Sequence, residues 1–490
     1  MFRVPLLWLF AASTAGVASS DYFAPTHRLS GIGVARSEMS QELLSERARL
    51  MADSQTFFLL RDPRTVQGAE RVEKYSRIFD DAARQSGFPA SLLKAIAFIE
   101  SFGDPLAQSP AGPKGIMQIS GATARDMGLR MIYSTKYRTV TSRTQTKGKH
   151  GKPVFKNVKQ KTAYQVLLRD ERLIPERAIP AAANYLARIR QNLGGTDWAV
   201  FAYHCGVGCV INMQNLTSRA EGISKPITVA KMFFGASPVL NRELYEEIKR
   251  QMDRDWSPTY YFRIMRAQQL LEMYREDQPT FRELAKYYSY EPDPSQRAQH
   301  RLAVWLKSED LMYQSCDDLK RDEGKRLARV LDDPAFYGFR INKDAIGSLD
   351  LANRDYYLQA TPAAMGTLTY IAFETRRLHD AMKPKGEKFV PLEVTSLVRS
   401  MDAMGKPSSG GSGPTEAVAH CSGQVFDIRF DSLPPGEKEA LQFILDDMGY
   451  EGYLGFIDET PNSGTLHIGC SPSSRSFFAG IFQESLIAKR

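Results

Sequence analysis

A continuous apolar run that ends in a carboxylate constrains this chain more than any other feature. Residues 92–99 read LLKAIAFI, and Glu100 and Ser101 follow directly. A helix with so few polar positions is buried nearly all round, and a carboxyl group at its end loses the hydration that favours the anion. The pattern therefore predicts a raised pKa for Glu100, so that this group can donate a proton near neutral pH.

Four other short blocks accompany this run. Residues 109–112 read SPAG and residues 115–118 read GIMQ, which indicates a polar loop with glycine hinges after the helix. Residues 181–186, AAANYL, open an amphipathic helix, and residues 202–208, AYHCGVG, close an apolar helix in a glycine-rich turn. A lone Glu at a helix end usually faces water, but the combination of these blocks favours a functional carboxyl group.

These blocks resemble the soluble lytic transglycosylases, which are bacterial peptidoglycan-cleaving relatives of goose-type lysozyme. In that family the blocks read E-S, then S-x-x-G-A-x-G-L-M-Q, then A-Y-N-x-G, and the resemblance covers roughly Val72 to Met213. It implies a mainly α lysozyme-like domain with Glu100 as the catalytic acid and base. It also implies a substrate-binding cleft formed near that carboxylate by Ser109, Met117, Gln118 and Tyr203.

The sequence departs from the family pattern at three positions. Pro113 stands where Ala is usual, Ile116 replaces Leu, and His204 replaces Asn. The change at Ile116 is trivial. A histidine at position 204 can change a hydrogen bond next to the acid, so the resemblance leaves the fine geometry there open.

A single carboxyl group is enough for the reaction that the resemblance implies. The primary hydroxyl of the muramic acid sugar attacks its own anomeric carbon at the MurNAc-GlcNAc bond, and the product is a 1,6-anhydro sugar. Most glycosidases use two flanking carboxylates, and Asp104, the only acidic residue close by, is expected to be a turn residue. A muramidase-type hydrolase and a catalytically silent murein-binding scaffold remain alternatives.

The amino terminus is typical of an exported protein. The apolar stretch from Val4 to Ala18 is too short to span a bilayer securely, so residues 1–20 are predicted to be a signal peptide. An uncleaved amino-terminal anchor is the alternative. The predicted location is periplasmic or otherwise exported, with peptidoglycan glycan strands and stem peptides as partners and with no nucleic acid.

A basic insertion interrupts the transglycosylase-like pattern at residues 131–165. Apolar and polar residues alternate on both sides of the turn sequence GKHGKP at 148–153, which predicts a protruding β-hairpin. The insertion is either a solvated segment without function or an anion-binding arm for peptide carboxylates or an acidic membrane surface. It contains no acidic residue, and its cations are Lys136, Arg138, Arg143, Lys147, Lys149, Lys152, Lys156, Lys159 and Lys161.

The last part of the chain holds a second set of polar residues. Two imidazoles and a carboxylate, from His420, Asp427 and His467, make a three-ligand zinc set with an open position for water. Together with Ser396 and Arg399 they resemble the zinc D-Ala-D-Ala carboxypeptidases, whose motifs read T-S-x-x-R and H-x-x-G-x-x-x-D with a late histidine. The resemblance covers roughly residues 360–484 and implies that Arg399 clamps a substrate carboxylate.

One departure bears on the activity of this domain. The family commonly places a catalytic Glu three residues before the last histidine, where this chain has Gly464, and Glu459 is the nearest substitute. A working peptidase and a metal- or peptide-binding remnant therefore both remain open. Two cysteines of the same region, Cys421 and Cys470, are predicted to form a disulfide.

The predicted fold class is α+β with several domains, since 490 residues of which 43 % are hydrophobic can bury more than one core. The lytic domain is expected to be mainly α, the middle region helical, and the zinc-peptidase-like domain small and α+β. The predicted boundaries are 1–20 for the signal peptide, 21–70 for an N-terminal extension, 71–216 for the lytic domain, 217–359 for the middle domain and 360–490 for the peptidase-like domain.

Overall fold

The computed structural model describes residues 41–147, 153–221, 227–255, 257–289, 304–347, 352–404 and 415–487. The predicted signal peptide, residues 1–20, and the predicted hairpin turn at 148–152 lie outside the described residues. The chain forms two compact units, which we call the N-terminal unit (within 36–303, with 450–452) and the C-terminal unit (within 304–449 and 453–490). The architecture is α+β, as predicted.

The N-terminal unit is built mainly from helices. Its centre is the predicted apolar helix, in which Leu93, Ile96 and Phe98 are almost fully buried. The helices are α1 Gln41–Ser54, α2 Thr56–Leu60, α3 Thr65–Lys74, α4 Ser76–Ser86, α5 Ala90–Ser101, α6 Gly121–Asp126, α7 Pro175–Leu193, α8 Thr196–Cys205, α9 Val207–Glu221, α10 Val229–Gly235, α11 Arg242–Asp255, α12 Tyr260–Glu276 and α13 Gln278–Tyr288.

The predicted hairpin is present in this unit as two long strands. Strand β1, Met131–Lys147, pairs antiparallel with β2, Pro153–Asp170, and the register shifts once, between Ile132 and Tyr133. Side chains on both faces are exposed over most of the described length. The ribbon therefore projects from the helical unit rather than adding to its core.

The predicted middle domain, 217–359, is not a separate unit. Its first part belongs to the N-terminal unit, because α12 packs directly against α5 and α1. Its last part belongs to the C-terminal unit, because the short strand β4, Phe339–Ile341, pairs with a strand of that unit's sheet. The predicted domain boundaries are wrong because an amphipathic pattern indicates only that one face of a helix is buried. It does not indicate which element of the chain packs against that face.

The C-terminal unit is a five-stranded sheet with helices. Besides β4, the strands of this sheet are β6 Leu392–Ser396, β7 Val425–Arg429, β8 Leu454–Asp458 and β9 Thr465–Cys470. The strand order is β4-β6-β7-β9-β8, in which β4 runs parallel to β6 and the other neighbours are antiparallel. Two short strands, β3 Ala328–Arg329 and β5 Gln359–Ala360, pair with each other in a separate sheet. The helices are α14 Cys316–Asp322, α15 Lys343–Gly347, α16 Pro362–Met382, α17 Pro435–Tyr450, α18 Thr460–Ser463 and α19 Arg475–Ile487.

Two long helices of this unit, α16 and α19, approach each other closely. A Cβ atom on Gly366 of α16 would lie 1.8 Å from the carbonyl oxygen of Phe478 on α19, so only glycine permits this contact.

No described helix of either unit has an apolar stretch long enough to cross a membrane.

The predicted disulfide between Cys421 and Cys470 is wrong, since both residues are buried free thiols. The Cys421 thiol contacts the sulfur of Met404 at 3.2 Å. The Cys470 thiol lies near Thr367 on α16, and β9 places this cysteine opposite Leu454 of β8. Each sulfur therefore has a different neighbour, a separation that sequence spacing does not reveal.

Candidate active site

A cavity of about 850 Å³ opens in the N-terminal unit at the end of α5. Glu100 lies in its wall, and three of the predicted substrate-binding residues, Ser109, Gln118 and Tyr203, line it as well. These residues come from α5, from the loop that follows it and from α8. The fold therefore brings together segments that lie more than 100 residues apart in the sequence.

The environment of Glu100 fits a proton donor. Burial raises the pKa of its carboxyl group to about 7, against the effect of a hydrogen bond from Tyr260. The Tyr260 hydroxyl donates this bond to Oε1 of Glu100 over 2.8 Å. A carboxyl group whose pKa lies near 7 is part protonated and part ionised at neutral pH, so it can both give and accept a proton.

Tyr260 is a site residue that the sequence analysis missed. It opens α12, within the region 217–359 that was predicted only to be helical, and 160 positions separate it from Glu100. Its ring also stacks on His204, with ring centroids 4.7 Å apart and planes 9° from parallel. His204, which stands where the family has Asn, therefore contacts the tyrosine that is hydrogen-bonded to Glu100.

Met117, the fourth predicted cleft residue, does not line the cavity. Its side chain is fully buried in the core. Its carbonyl oxygen accepts a hydrogen bond of 2.7 Å from the hydroxyl of Tyr203. Ser101 makes a similar link, donating from its hydroxyl to the carbonyl oxygen of Ile116 over 2.8 Å. These two bonds tie the loop to the helices on either side of it.

The loop itself is folded tightly, and glycine is needed at one position. A Cβ atom on Gly115, whose φ is 80°, would lie 1.8 Å from the carbonyl oxygen of Arg172. Arg172 follows the hairpin and donates from Nη1 to the carbonyl oxygens of Gly112 and Ile119, each over 3.2 Å. Its guanidinium also pairs with Asp170 at 2.7 Å. The base of the hairpin therefore holds the cleft loop.

Asp104 adopts the expected turn conformation beside the cavity. Its Oδ1 accepts a hydrogen bond of 2.9 Å from the backbone N–H of Leu106, two residues further on. Asp104 is nevertheless part of the cavity wall, together with Arg64. It is thus the natural control carboxylate for any test of Glu100.

The part of the chain that forms the Glu100 cavity is similar to a known domain family. Residues 77–148 and 150–225 match the Transglycosylase SLT domain. We call these residues the SLT region. It contains Glu100, Ser109, Gln118 and Tyr203, whereas Tyr260 lies beyond its end.

Individual relatives agree with this match. The chain is 28 % identical, over 34 % of its own length and 32 % of the relative's, to the membrane-bound lytic murein transglycosylase F of Alcanivorax borkumensis. It is 42 % identical over 59 residues, 12 % of this chain and 13 % of the relative, to the membrane-bound lytic murein transglycosylase F 2 of Alkalilimnicola ehrlichii. It is 33 % identical, over 29 % of this chain and 8 % of the relative, to the peptidoglycan transglycosylase gp16 of Escherichia phage T7. The chain spans about a third of these relatives' length or less.

The C-terminal unit gathers the predicted metal ligands into one buried cluster. Their ligand atoms all lie within 4.8 Å of one another. Oδ1 of Asp427 on β7 lies 3.2 Å from Nε2 of His420 and 2.9 Å from Nδ1 of His467 on β9. The antiparallel pairing of β7 with β9 places Asp427 directly opposite His467, which explains this proximity.

The protonation of His420 suits a metal ligand. Its Nδ1 lies 2.7 Å from the carbonyl oxygen of Leu397, which can only accept, so the proton belongs on Nδ1. Burial lowers the pKa of His420 to about 4, so the ring is neutral at pH 7. The lone pair of Nε2 then faces the carboxylate of Asp427. A cation between the two atoms would satisfy both, so the donor set fits a zinc ion.

Arg399 lies beside this cluster. Its Nη2 is 3.4 Å from Oδ2 of Asp427, and its Nε donates to the hydroxyl of Ser396 over 2.8 Å. Nε2 of His467 is buried without a hydrogen-bond partner among the described residues, and Trp305 meets this ring edge-on at 4.8 Å. At the position of the family's catalytic Glu, a Cβ on Gly464 would lie 2.5 Å from Asp431, so a larger residue does not fit there without a shift.

Proposed function

We propose that the protein is a peptidoglycan lytic transglycosylase that cleaves the MurNAc-GlcNAc bond with Glu100 as acid and base. The observation that carries the proposal is the pKa of Glu100, which burial raises to about 7 within a cavity of about 850 Å³. The match of the surrounding residues to the SLT domain supports the same chemistry. The names of the similar proteins from Alcanivorax borkumensis and phage T7 support murein as the substrate.

The proposed mechanism uses one carboxyl group twice. Protonated Glu100 first gives its proton to the glycosidic oxygen, so the leaving sugar departs as a neutral alcohol. The carboxylate that remains then accepts the proton of the muramic acid primary hydroxyl as this oxygen attacks the anomeric carbon. The product is a 1,6-anhydro sugar, and Glu100 is protonated again for the next cycle.

Tyr260 assists both steps through its hydrogen bond. Its hydroxyl donates to Oε1 of Glu100 over 2.8 Å, so the proton to be transferred is directed to the other carboxyl oxygen. The bond also stabilises the carboxylate that forms after the first step. Ser109 and Gln118 line the cavity, where they are available to bind the sugars.

Substitution of Glu100 tests the assignment. Glu100→Gln keeps the shape of the side chain but cannot transfer a proton, so we expect turnover of purified sacculi to fall at least about 10²-fold. Asp104→Asn is the matched control, because it removes a carboxylate from the same cavity wall and should leave most of the activity. Near-native turnover by Glu100→Gln, or an equal loss in Asp104→Asn, would mean that Glu100 is not the acid.

The proposed location is the periplasm or another exported site, where murein lies. We also propose that the β1–β2 ribbon contacts an anionic membrane surface. Lys136, Lys159 and Lys161 are exposed on it, and its strands carry no acidic residue before Asp170. Such a ribbon attracts anionic groups by charge alone.

A second function is favoured by the buried cluster of the C-terminal unit. We propose that His420, Asp427 and His467 bind one zinc ion. Bound zinc polarises a water molecule and lowers the pKa of that water toward about 7. Hydrolysis of a peptide also requires a proton acceptor beside the water, and Gly464 supplies none. The proposal is therefore metal binding with weak or absent peptidase activity, with Arg399 available for a peptide carboxylate.

A further inference from the structure

A second cavity of about 310 Å³ adjoins the proposed active site in the N-terminal unit. Its wall includes Phe58 and Arg61, which follow α1 in the sequence and precede the SLT region, and Arg263 of α12. Ile99 and Phe102, at the end of the helix that carries Glu100, line both this cavity and the larger one. We call it the Phe58 cavity. The two cavities therefore lie next to each other, on either side of these two shared side chains.

The Phe58 cavity combines an aromatic surface with positive charge. Phe58 is 41 % exposed, and the guanidinium carbons of Arg61 and Arg263 lie 5.5 Å and 5.9 Å from its ring centre. The described residues in the wall include two guanidinium groups and no carboxylate. An exposed aromatic ring with two cations close to it can bind an anion that also carries apolar groups.

The hydrogen-bond donors of the Arg263 guanidinium are only partly paired with acceptors of the described residues. Its Nε donates to Gln55 over 3.4 Å, and no described acceptor bonds to its Nη atoms. Burial, followed by the like charge of Arg61, lowers the pKa of its guanidinium. An anionic ligand would relieve this repulsion and would accept hydrogen bonds from the remaining N–H groups.

The wall between the two cavities is held in an unusual conformation. Phe102 caps α5 with φ 50° and ψ 39°, a left-handed conformation that bulky side chains rarely adopt. Its ring packs edge-on against Phe98 at 5.6 Å, and the guanidinium of Arg64 lies 5.1 Å from it. A Cβ atom on Gly68 would lie 2.9 Å from the Cβ of Phe102, so the position of the ring is fixed from both sides.

We propose that the Phe58 cavity is a subsite for the anionic peptide that projects from the glycan substrate. Arg61 and Arg263 pair with the carboxylates of the peptide, and the ring of Phe58 packs against its apolar side chains. The inference rests on the proposed function. In murein the peptides are attached to the muramic acid sugar, and the proposed mechanism places that sugar at Glu100. The residues that precede the SLT region would then select peptide-bearing strands over peptide-free strands.

Direct binding tests the subsite without any need for turnover. The full-length Glu100→Gln protein is titrated by calorimetry with stem peptides that an amidase has released from sacculi. We expect saturable binding that weakens about tenfold in Arg61→Gln, the loss typical of a charge-assisted hydrogen bond, and that is largely kept in Arg61→Lys. Arg190→Gln is the matched control, because Arg190 lies over Phe88 and lines neither cavity.

The outcomes separate the subsite from the proposed function. Absence of saturable peptide binding, or equal binding by Arg61→Gln, overturns the subsite. Saturable binding of phosphatidylglycerol vesicles in place of the peptides would assign the cavity to a lipid and overturn it as well. In the active protein, Arg61→Gln should raise KM about tenfold for peptide-bearing sacculi and leave peptide-free glycan strands unchanged. An equal loss on both substrates overturns the subsite, whereas no cleavage of either by the wild type contradicts the proposed function alone.

Discussion

The chemistry proposed for the N-terminal unit depends on two hydrogen-bonded side chains that are 160 positions apart in the sequence. Burial raises the pKa of Glu100, and the hydroxyl of Tyr260 acts in the opposite direction. The balance of the two places the pKa near neutrality. The apolar run before Glu100 predicts the first effect, but no local pattern predicts the second, since the partner arrives on another helix.

The pH dependence of turnover should report this balance. The general acid must be protonated, so kcat/KM of the wild type should fall as the pH rises through about 7. Tyr260→Phe removes the bond that lowers the pKa of Glu100, so its pKa should rise and the alkaline limb should move up by about one pH unit. Tyr261→Phe is the neighbouring control and should leave the limb in place. An unchanged limb in Tyr260→Phe would show that the hydrogen bond has no influence on the acid.

Stability should respond to the same group. The pKa of Glu100 is about 7 in the folded protein, against an ordinary value of 4.5 that applies to the unfolded chain. Between these two pH values the folded protein binds more protons than the unfolded chain, so its stability falls as the pH rises from 4.5 to 7. Glu100→Gln has no such loss. We expect the Tm of Glu100→Gln, relative to the Tm of the wild type, to increase by roughly 5 °C from pH 4.5 to pH 7 and to change no further above pH 7. The measurement is calorimetry of both proteins across this pH range. A difference in Tm that stays constant would contradict the raised pKa of Glu100.

Whole elements show where sequence patterns succeed. The alternation and the turn residues of the insertion predicted a hairpin, and β1 and β2 pair as expected. Pairing between strands that are close in sequence follows from local patterns. Met117 shows the opposite case. It was placed in the cleft from its position in the motif, but its side chain packs into the core and only its carbonyl oxygen serves the site.

The charge of the ribbon should be measurable in binding. Lys159→Gln with Lys161→Gln should weaken co-sedimentation with anionic vesicles, and the effect should be largest at low ionic strength, since charges more than about 10 Å apart are screened in 0.1 M salt. The paired control is Lys159→Arg with Lys161→Arg, which keeps the charge. Equal binding by both double variants across a salt series would leave the ribbon without a role in anion binding.

At the scale of the whole molecule, the sequence predicted which polar residues lie together better than it predicted where each domain ends. The positions of His420, Asp427 and His467 converge in the structure because β7 and β9 are neighbours, and their spacing had indicated this set. The middle domain and the disulfide were wrong because both depend on long-range packing. The contacts of α12 with α5, and of Cys421 with Met404, leave no trace in local composition.

The metal content of the full chain tests the second proposal. We expect about one zinc ion per chain after purification without chelator, and loss of this zinc in His467→Ala, which removes one of three ligands. Zinc should raise the Tm of the wild type, because the ion binds the folded state. Arg399→Gln is the control, since it leaves the donor set intact and should keep its zinc. Elemental analysis that finds no zinc, with none taken up on titration, would contradict the metal site.

The most direct test of the central claim is mass spectrometry of sacculi digested with the purified protein. If Glu100 acts as both acid and base, the wild type should release muropeptides that end in 1,6-anhydroMurNAc, and Glu100→Gln should release almost none. Muropeptides with reducing ends would instead identify a hydrolase that uses water. The absence of any released fragment under conditions in which the protein is folded would contradict the account and leave a murein-binding scaffold.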